Sequence, residues 1–241
     1  MKNNLLLFFI VLTLPIGAFS QTYNYAPNML NIPCLTNKGD AILGFGWGRG
    51  LVFQALEIQA VYSPAKHLAV MANYFGPRKK SVRNHTDVGT DFYLWEAAIG
   101  IYEKLPKGAA SLFAGFSSGN LCSHYGADRT AEFEMKRWFI QPGINYQSHQ
   151  FQAGLALRLS NLVYRKGLVS YTIDAQDFLY IKNLEKDSPM FLPEIGVQFG
   201  MHLKPVTINL NVTSIFPNTS DWNFSSLNTG LSIAVKFGKK K

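Results

Sequence analysis

From Phe151 onward the chain alternates strictly. Phe151, Ala153, Leu155, Leu157 and Leu159 fall on one face, and Gln152, Gly154, Ala156, Arg158 and Ser160 on the other. Period two means an extended strand with two unlike faces. The pattern recurs along the chain, near residues 40–48, 52–62, 68–75, 92–102, 109–117, 132–146, 191–201, 206–213 and 227–237. Helical periodicity is scarce after residue 21. This spacing of short two-faced strands predicts an all-β fold of about ten antiparallel strands.

The content of the two faces decides which side is wet. One face carries Leu, Ile, Val, Ala and aromatics. The other carries Glu57, Asn73, Glu96, Gln141, Arg158, Glu194, Asn209, Asn211 and Lys236 among many small residues; Phe113 is its exception. A soluble sandwich would spread Lys, Glu and Thr over its wet face. Gly, Ala, Ser and Asn with a few opposite charges suit a narrow, crowded interior instead. The outward aromatics cluster near strand ends: Trp47, Tyr74, Trp95 and Trp138 at one, Tyr62, Tyr146, Phe151 and Phe237 at the other. Two such girdles bracket a hydrocarbon band. The leucines of 151–159 therefore face lipid and Arg158 points inward.

The connections agree. Those at 63–67, 104–108, 147–150 and 202–205 are short. Those at 78–90, 118–130, 162–188 and 214–226 are long, with Arg49-Gly50 the one short link on the long side. Short turns at one end and long loops at the other predict a transmembrane antiparallel up-and-down β-barrel with periplasmic turns and extracellular loops. The charged share is 16%, below the usual ~25%, and the net charge of +8 lies largely in turns and loops. A nucleic-acid site would gather it on one stripe or helix, so no nucleic-acid partner is expected.

The leader sets the compartment. Lys2 begins a positive region, residues 5–14 are an apolar run, and Ala18-Phe19-Ser20 offers the small residues of a cleavage site. Residues 1–20 read as a secretory signal peptide. Residues 21–38 form a proline-containing segment that is periplasmic, tucked under the barrel or reaching into its lumen. The barrel spans 39–238 and a basic tail 239–241. Cys34 is expected near the periplasmic end and Cys122 in a surface loop, without a bridge. The two offer no metal spacing.

The leader, the "KGD" at residues 38–40, the "YSPAKH" turn, and "FIQPGINY" followed by "LRLS" resemble the small outer-membrane β-barrel proteins of Bacteroidetes. The resemblance covers most of the chain and implies architecture without an activity. Phe237 takes the place of the usual C-terminal aromatic, with Gly238 and three lysines after it.

Two groups of residues are candidate sites. Glu57, Glu96, Arg158, Glu194 and Lys236 can form a lumen network, since buried charges must be paired and hydrogen-bonded. Such a network either fills and stiffens the barrel or lines an ion path. Arg78, Lys79, Lys80 and Arg83 concentrate positive charge in a long loop, where lipopolysaccharide phosphates would accept charge-assisted bonds. An enzyme at the rim would need a nucleophile and base; the long-loop end offers His85 and the run Ser123-His124 with Asp128. Adjacent residues rarely face one another, so no enzyme, cofactor or metal is expected. The expected function is a structural, adhesive or assembly role in the outer membrane, with a small pore and a rim enzyme as alternatives. The expected partners are outer-membrane lipid, lipopolysaccharide and the barrel assembly machinery.

Overall fold

The computed structural model describes residues 25–50, 53–79, 88–125, 130–170, 182–203, 205–216 and 224–238. The signal-peptide residues, Lys80, Arg83, His85, Asp128 and the lysine tail lie outside them. Ten strands run β1 (Ala41–Gly50), β2 (Phe53–Ala65), β3 (Leu68–Lys79), β4 (Val88–Leu105), β5 (Gly108–Tyr125), β6 (Thr130–Gln147), β7 (Phe151–Val169), β8 (Met190–Leu203), β9 (Val206–Ile215) and β10 (Leu227–Phe237). Each pairs antiparallel with its sequence neighbours, and β1 pairs with β10 from Ala41↔Phe237 to Gly50↔Asn228. The sheet is a closed up-and-down barrel. Closure leaves no unpaired strand edge, which a hydrocarbon solvent demands.

The faces follow the alternation. In β6, Trp138, Ile140, Ile144 and Tyr146 are exposed while Arg137, Gln141 and Asn145 are buried. In β7, Leu155, Leu157 and Leu159 face out and Arg158 is fully buried. The stretch from Trp138 to Tyr146 covers ~26 Å along the strand at ~3.3 Å per residue. At a tilt of ~40° that is ~20 Å of height, comparable with the ~25 Å apolar band of such barrels.

Strands β4, β5 and β7 run past their expected ends toward the long loops. Beyond Trp95 and Trp138 the alternation weakens, because both faces turn apolar or mixed ("DFYL", "FEMK"), yet the ladder continues. Much of the expected 118–130 loop is therefore strand. Cys122 sits within β5 and not in a loop; both cysteines are free.

This extension also corrects the picture of a uniformly polar interior. At the long-loop end the inward side chains are Phe53, Phe75, Phe92, Leu94, Leu121, Phe133, Met135, Tyr164 and Leu192, packed as one buried cluster. Leu184, on a helical turn at residues 182–186, closes it from above. The barrel thus carries a soluble-protein core within its upper lumen.

Candidate functional site

Below the apolar cap, the chain ahead of β1 runs through the barrel. Tyr25 forms a parallel bridge with Phe224 at the long-loop end and packs against Phe92. Residues 25–35 are buried throughout. Cys34 reaches the short-turn end, where its thiol meets Gln147 Oε1 at 3.1 Å. A turn at 36–39 then reverses the chain into β1. The segment runs from the loop end down to the turn end, and its first described residue lies at the far side of the barrel from the start of β1.

The wall is shaped for it. A Cβ on Gly196 would lie 2.8 Å from Leu30, and one on Gly154 2.9 Å from Ile32. Glycine at these positions lets the segment approach the wall closely. Segment carbonyls take wall donors: Gln59 Nε2 donates to Met29 O at 2.8 Å, Gln141 Nε2 to Asn31 O at 2.8 Å, and Asn145 Nδ2 to Ile32 O at 3.3 Å.

The charged network lies at the level of Asn28. Glu96, Arg137, Arg158 and Glu194 come from β4, β6, β7 and β8, and all four side chains are fully buried. Arg158 Nη1 lies 3.1 Å from Glu96 Oε1 and 3.4 Å from Glu194 Oε2. Arg137 pairs with Glu194 at 3.1 Å and with Glu96. Two cations and two anions thus alternate, with no net charge. Gln141 Oε1 accepts from Arg158 Nε at 3.0 Å, and the Arg158 guanidinium sits 4.5 Å above the Phe139 ring. The segment completes the set. Asn28 Oδ1 accepts from Arg158 at 2.9 Å and from Arg137 at 3.2 Å, while Asn28 Nδ2 donates to Glu96 at 3.0 Å. The Tyr25 hydroxyl donates to Glu194 and accepts from Arg137. Residues 25–36 carry no charge themselves. They act as a fixed polar solvent for the wall's charges, the satisfaction that a buried network requires.

Of the expected network residues, the structure brings Glu96, Arg158 and Glu194 together. Glu57 is buried apart from them. Its carboxylate accepts the Met29 N–H at 3.0 and 2.9 Å and Asn228 Nδ2 at 2.9 Å, and no cation pairs with it among the described residues. Lys236 does not join the network. It lies at the short-turn end, 3.0 Å from Asp40, donating to Cys34 O at 2.8 Å. It is the penultimate residue of β10, at the foot of that strand. Burial alone would raise the Asp40 carboxyl pKa. The Thr36 N–H and the Lys236 ammonium outweigh that and hold it below the usual carboxylate range.

Arg137 is the residue that sequence reasoning missed. Its odd number places it on the face of Gln141 and Asn145, but Phe139 between them blurred the polar face. Ser123 and His124 point to opposite faces. Ser123 is buried against Thr90, whereas His124 faces outward 3.5 Å from Cys122 Sγ and 3.7 Å from Asp91. They form no nucleophile–base pair. Arg78 and Lys79 end β3, their side chains outside the described residues along with Lys80 and Arg83. Among the described residues no group of three or more His, Cys, Asp or Glu is placed to hold a metal.

The two thiols differ in access. Cys34 is 4% exposed and hydrogen-bonded, while Cys122 faces outward among Asp91 and Glu132. Maleimide is expected to label Cys122 at least tenfold faster than Cys34 in the folded protein. Equal rates, read by mass spectrometry, would mean that the segment leaves the lumen readily.

No family model and no curated protein matches the chain. Among solved structures, it is similar to the translocator domain of the autotransporter NalP from Neisseria meningitidis, at 9% identity and a TM-score of 0.40, over 85% of this chain and 90% of that one. It is similar to the KdgM porin, solved in complex with disordered oligogalacturonate, at 10% identity and a TM-score of 0.32, over 83% and 99%. The outer membrane protein OmpT of Vibrio cholerae, in its trimer form, follows at 6% identity and 0.28, over 84% and 99%. Likeness at this level bears on neither activity nor ligand.

Proposed function

We propose that the protein is an integral outer-membrane barrel with a structural, adhesive or assembly role, sealed by its own N-terminal segment. The observation that carries this is the blocked upper and middle lumen: an apolar cap above, a neutral charge network in the middle and residues 25–35 threaded through both. The exposed belt of Leu43, Phe45, Ile99, Ile140, Leu155 and Ile233 supports a lipid setting, since a soluble barrel would leave that surface in water. The motif resemblance supports a Bacteroidetes-type member of this class. Its partners in this reading are outer-membrane lipid, lipopolysaccharide, through Arg78, Lys79, Lys80 and Arg83, and the barrel assembly machinery. No catalytic activity is part of it, in keeping with the opposed faces of Ser123 and His124.

The full chain in planar bilayers is expected to give no steady conductance. In cells it is expected to float with outer membranes and to resist alkaline carbonate. Regular single-channel steps from the wild type would replace the sealed barrel with the small-pore reading. Recovery in the soluble periplasm would end both.

A further inference from the structure

The lumen is not filled at its short-turn end. A cavity of about 310 Å³ opens there, bounded on one side by residues 31–34 of the threaded segment and on the others by wall residues. That volume lies at the low end of the ~300–1,000 Å³ typical of ligand sites, room for a short segment of chain and not for a folded domain.

Its chemistry is unlike the network above it. Gln59, Gln147, Gln152, Gln198 and Asn209 line it with the imidazoles of His149 and His202, and no carboxylate, Phe, Tyr or Trp does. Its one formal cation, Lys236, is held by Asp40. Two sets of groups are without partners. The backbone N–H groups of Asn31, Ile32 and Cys34 donate to no acceptor among the described residues, although carbonyls of the same stretch take wall donors. The Gln198 Oε1 is buried and accepts no hydrogen bond. Buried polar groups left unpaired are costly, and each calls for a partner.

We propose that this vestibule binds a short, extended, uncharged peptide segment entering from the turn end. Its carbonyls would accept from the free N–H groups of residues 31–34, and its own N–H groups would donate to the glutamine oxygens. Backbone-to-backbone pairing with an extended chain is a general mode of peptide capture. The lining offers no Trp, Tyr or Phe, the broad faces on which sugar rings stack, and its His202 is engaged by Gln147 and Thr207, which disfavours a sugar. No acid lines the cavity and its one lysine is held by Asp40, so a charged ligand would meet no formal opposite charge there. The proposal rests on the threaded segment and not on which membrane holds the barrel.

The test uses the full chain, folded in detergent micelles and labelled with nitrogen-15. The probe is N-acetyl-trialanine amide, with maltose and acetate as comparisons. Saturable shifts of the Asn31, Ile32 and Cys34 amides by the tripeptide, and slower alkylation of Cys34 in its presence, are the expected result. Ala234→Phe, which fills the cavity from the wall, should weaken the tripeptide at least tenfold while the barrel keeps its heat-modifiable gel mobility. Should Ala234→Phe fail to fold, Gln198→Leu supplies the same comparison. No saturable shift, a preference for maltose or acetate, or equal binding by the cavity variants would overturn the proposal. A peptide result of either sign leaves conductance and flotation, the tests of the sealed barrel, unchanged.

Discussion

Arg158→Leu is expected to lower the stability of the folded barrel by ~3–5 kcal/mol, the cost of breaking a buried ion pair and stranding its partner. The wall would then hold Glu96 and Glu194 against Arg137 alone. Neutralising one carboxylate restores the balance, so adding Glu194→Gln or Glu96→Gln should recover part of the loss. Alternation alone points to Glu194, which pairs with Arg158 across adjacent strands. The geometry adds Glu96, three strands away and the nearer carboxylate. Leu157→Arg is expected to cost ~2–4 kcal/mol for a different reason, a charge set against lipid near the midplane. Neither carboxylate change should relieve it. Urea unfolding in lipid vesicles, followed by gel mobility, separates the two. Wild-type stability in Arg158→Leu would show that the network is not what holds the wall.

The second large effect is topological. Tyr25 lies at the long-loop end and β1 starts at the short-turn end, so the described segment begins on the loop side of the barrel. If the short turns face the periplasm, a short epitope placed just after Ser20 should be reached by antibody on intact cells. The same epitope in the turn at Lys107 should be reached only after permeabilisation. Gly196→Val, which intrudes on Leu30, should unseat the segment and abolish the first signal without moving the second. An epitope after Ser20 that is reached only in permeabilised cells would place the start of the segment in the periplasm and contradict the threaded path.

The strands were legible because the wall separates two solvents. Leu157 and Arg158 are neighbours with opposite surroundings, and parity reports that directly. The girdle residues Trp138 and Tyr146 marked the band for the same reason. The apolar cap was not legible, since at Phe92 and Leu94 the inward face is as apolar as the outward one and the alternation vanishes. The path of residues 25–35 into the lumen was one of three alternatives that the sequence left open. An extended segment with two prolines has no periodicity, and its partners are contributed one at a time by distant strands. Gly154 and Gly196 were visible as small lumen residues. Only the structure shows that their missing side chains make room for Ile32 and Leu30.

The threaded segment has a consequence for the order of assembly. It is continuous with β1, and β1 meets β10, the last strand made, along an unbroken ladder. A chain cannot enter a sealed ring sideways. The segment must therefore be laid against the inner wall before the first and last strands join, and the final pairing locks it there. Joining is then the committing step, and bulk ahead of Tyr25 does not bar the seating, because it is never drawn through the lumen. A small folded domain fused after Ser20 is expected to leave the ring closed and the segment seated. Cysteines placed at Phe45 and Ile233, paired across that junction, would crosslink in the domain fusion as in the epitope fusion, with Cys34 equally slow toward maleimide in both; a crosslinked domain fusion whose Cys34 reacts fast would mean that the ring closes first and is threaded afterwards.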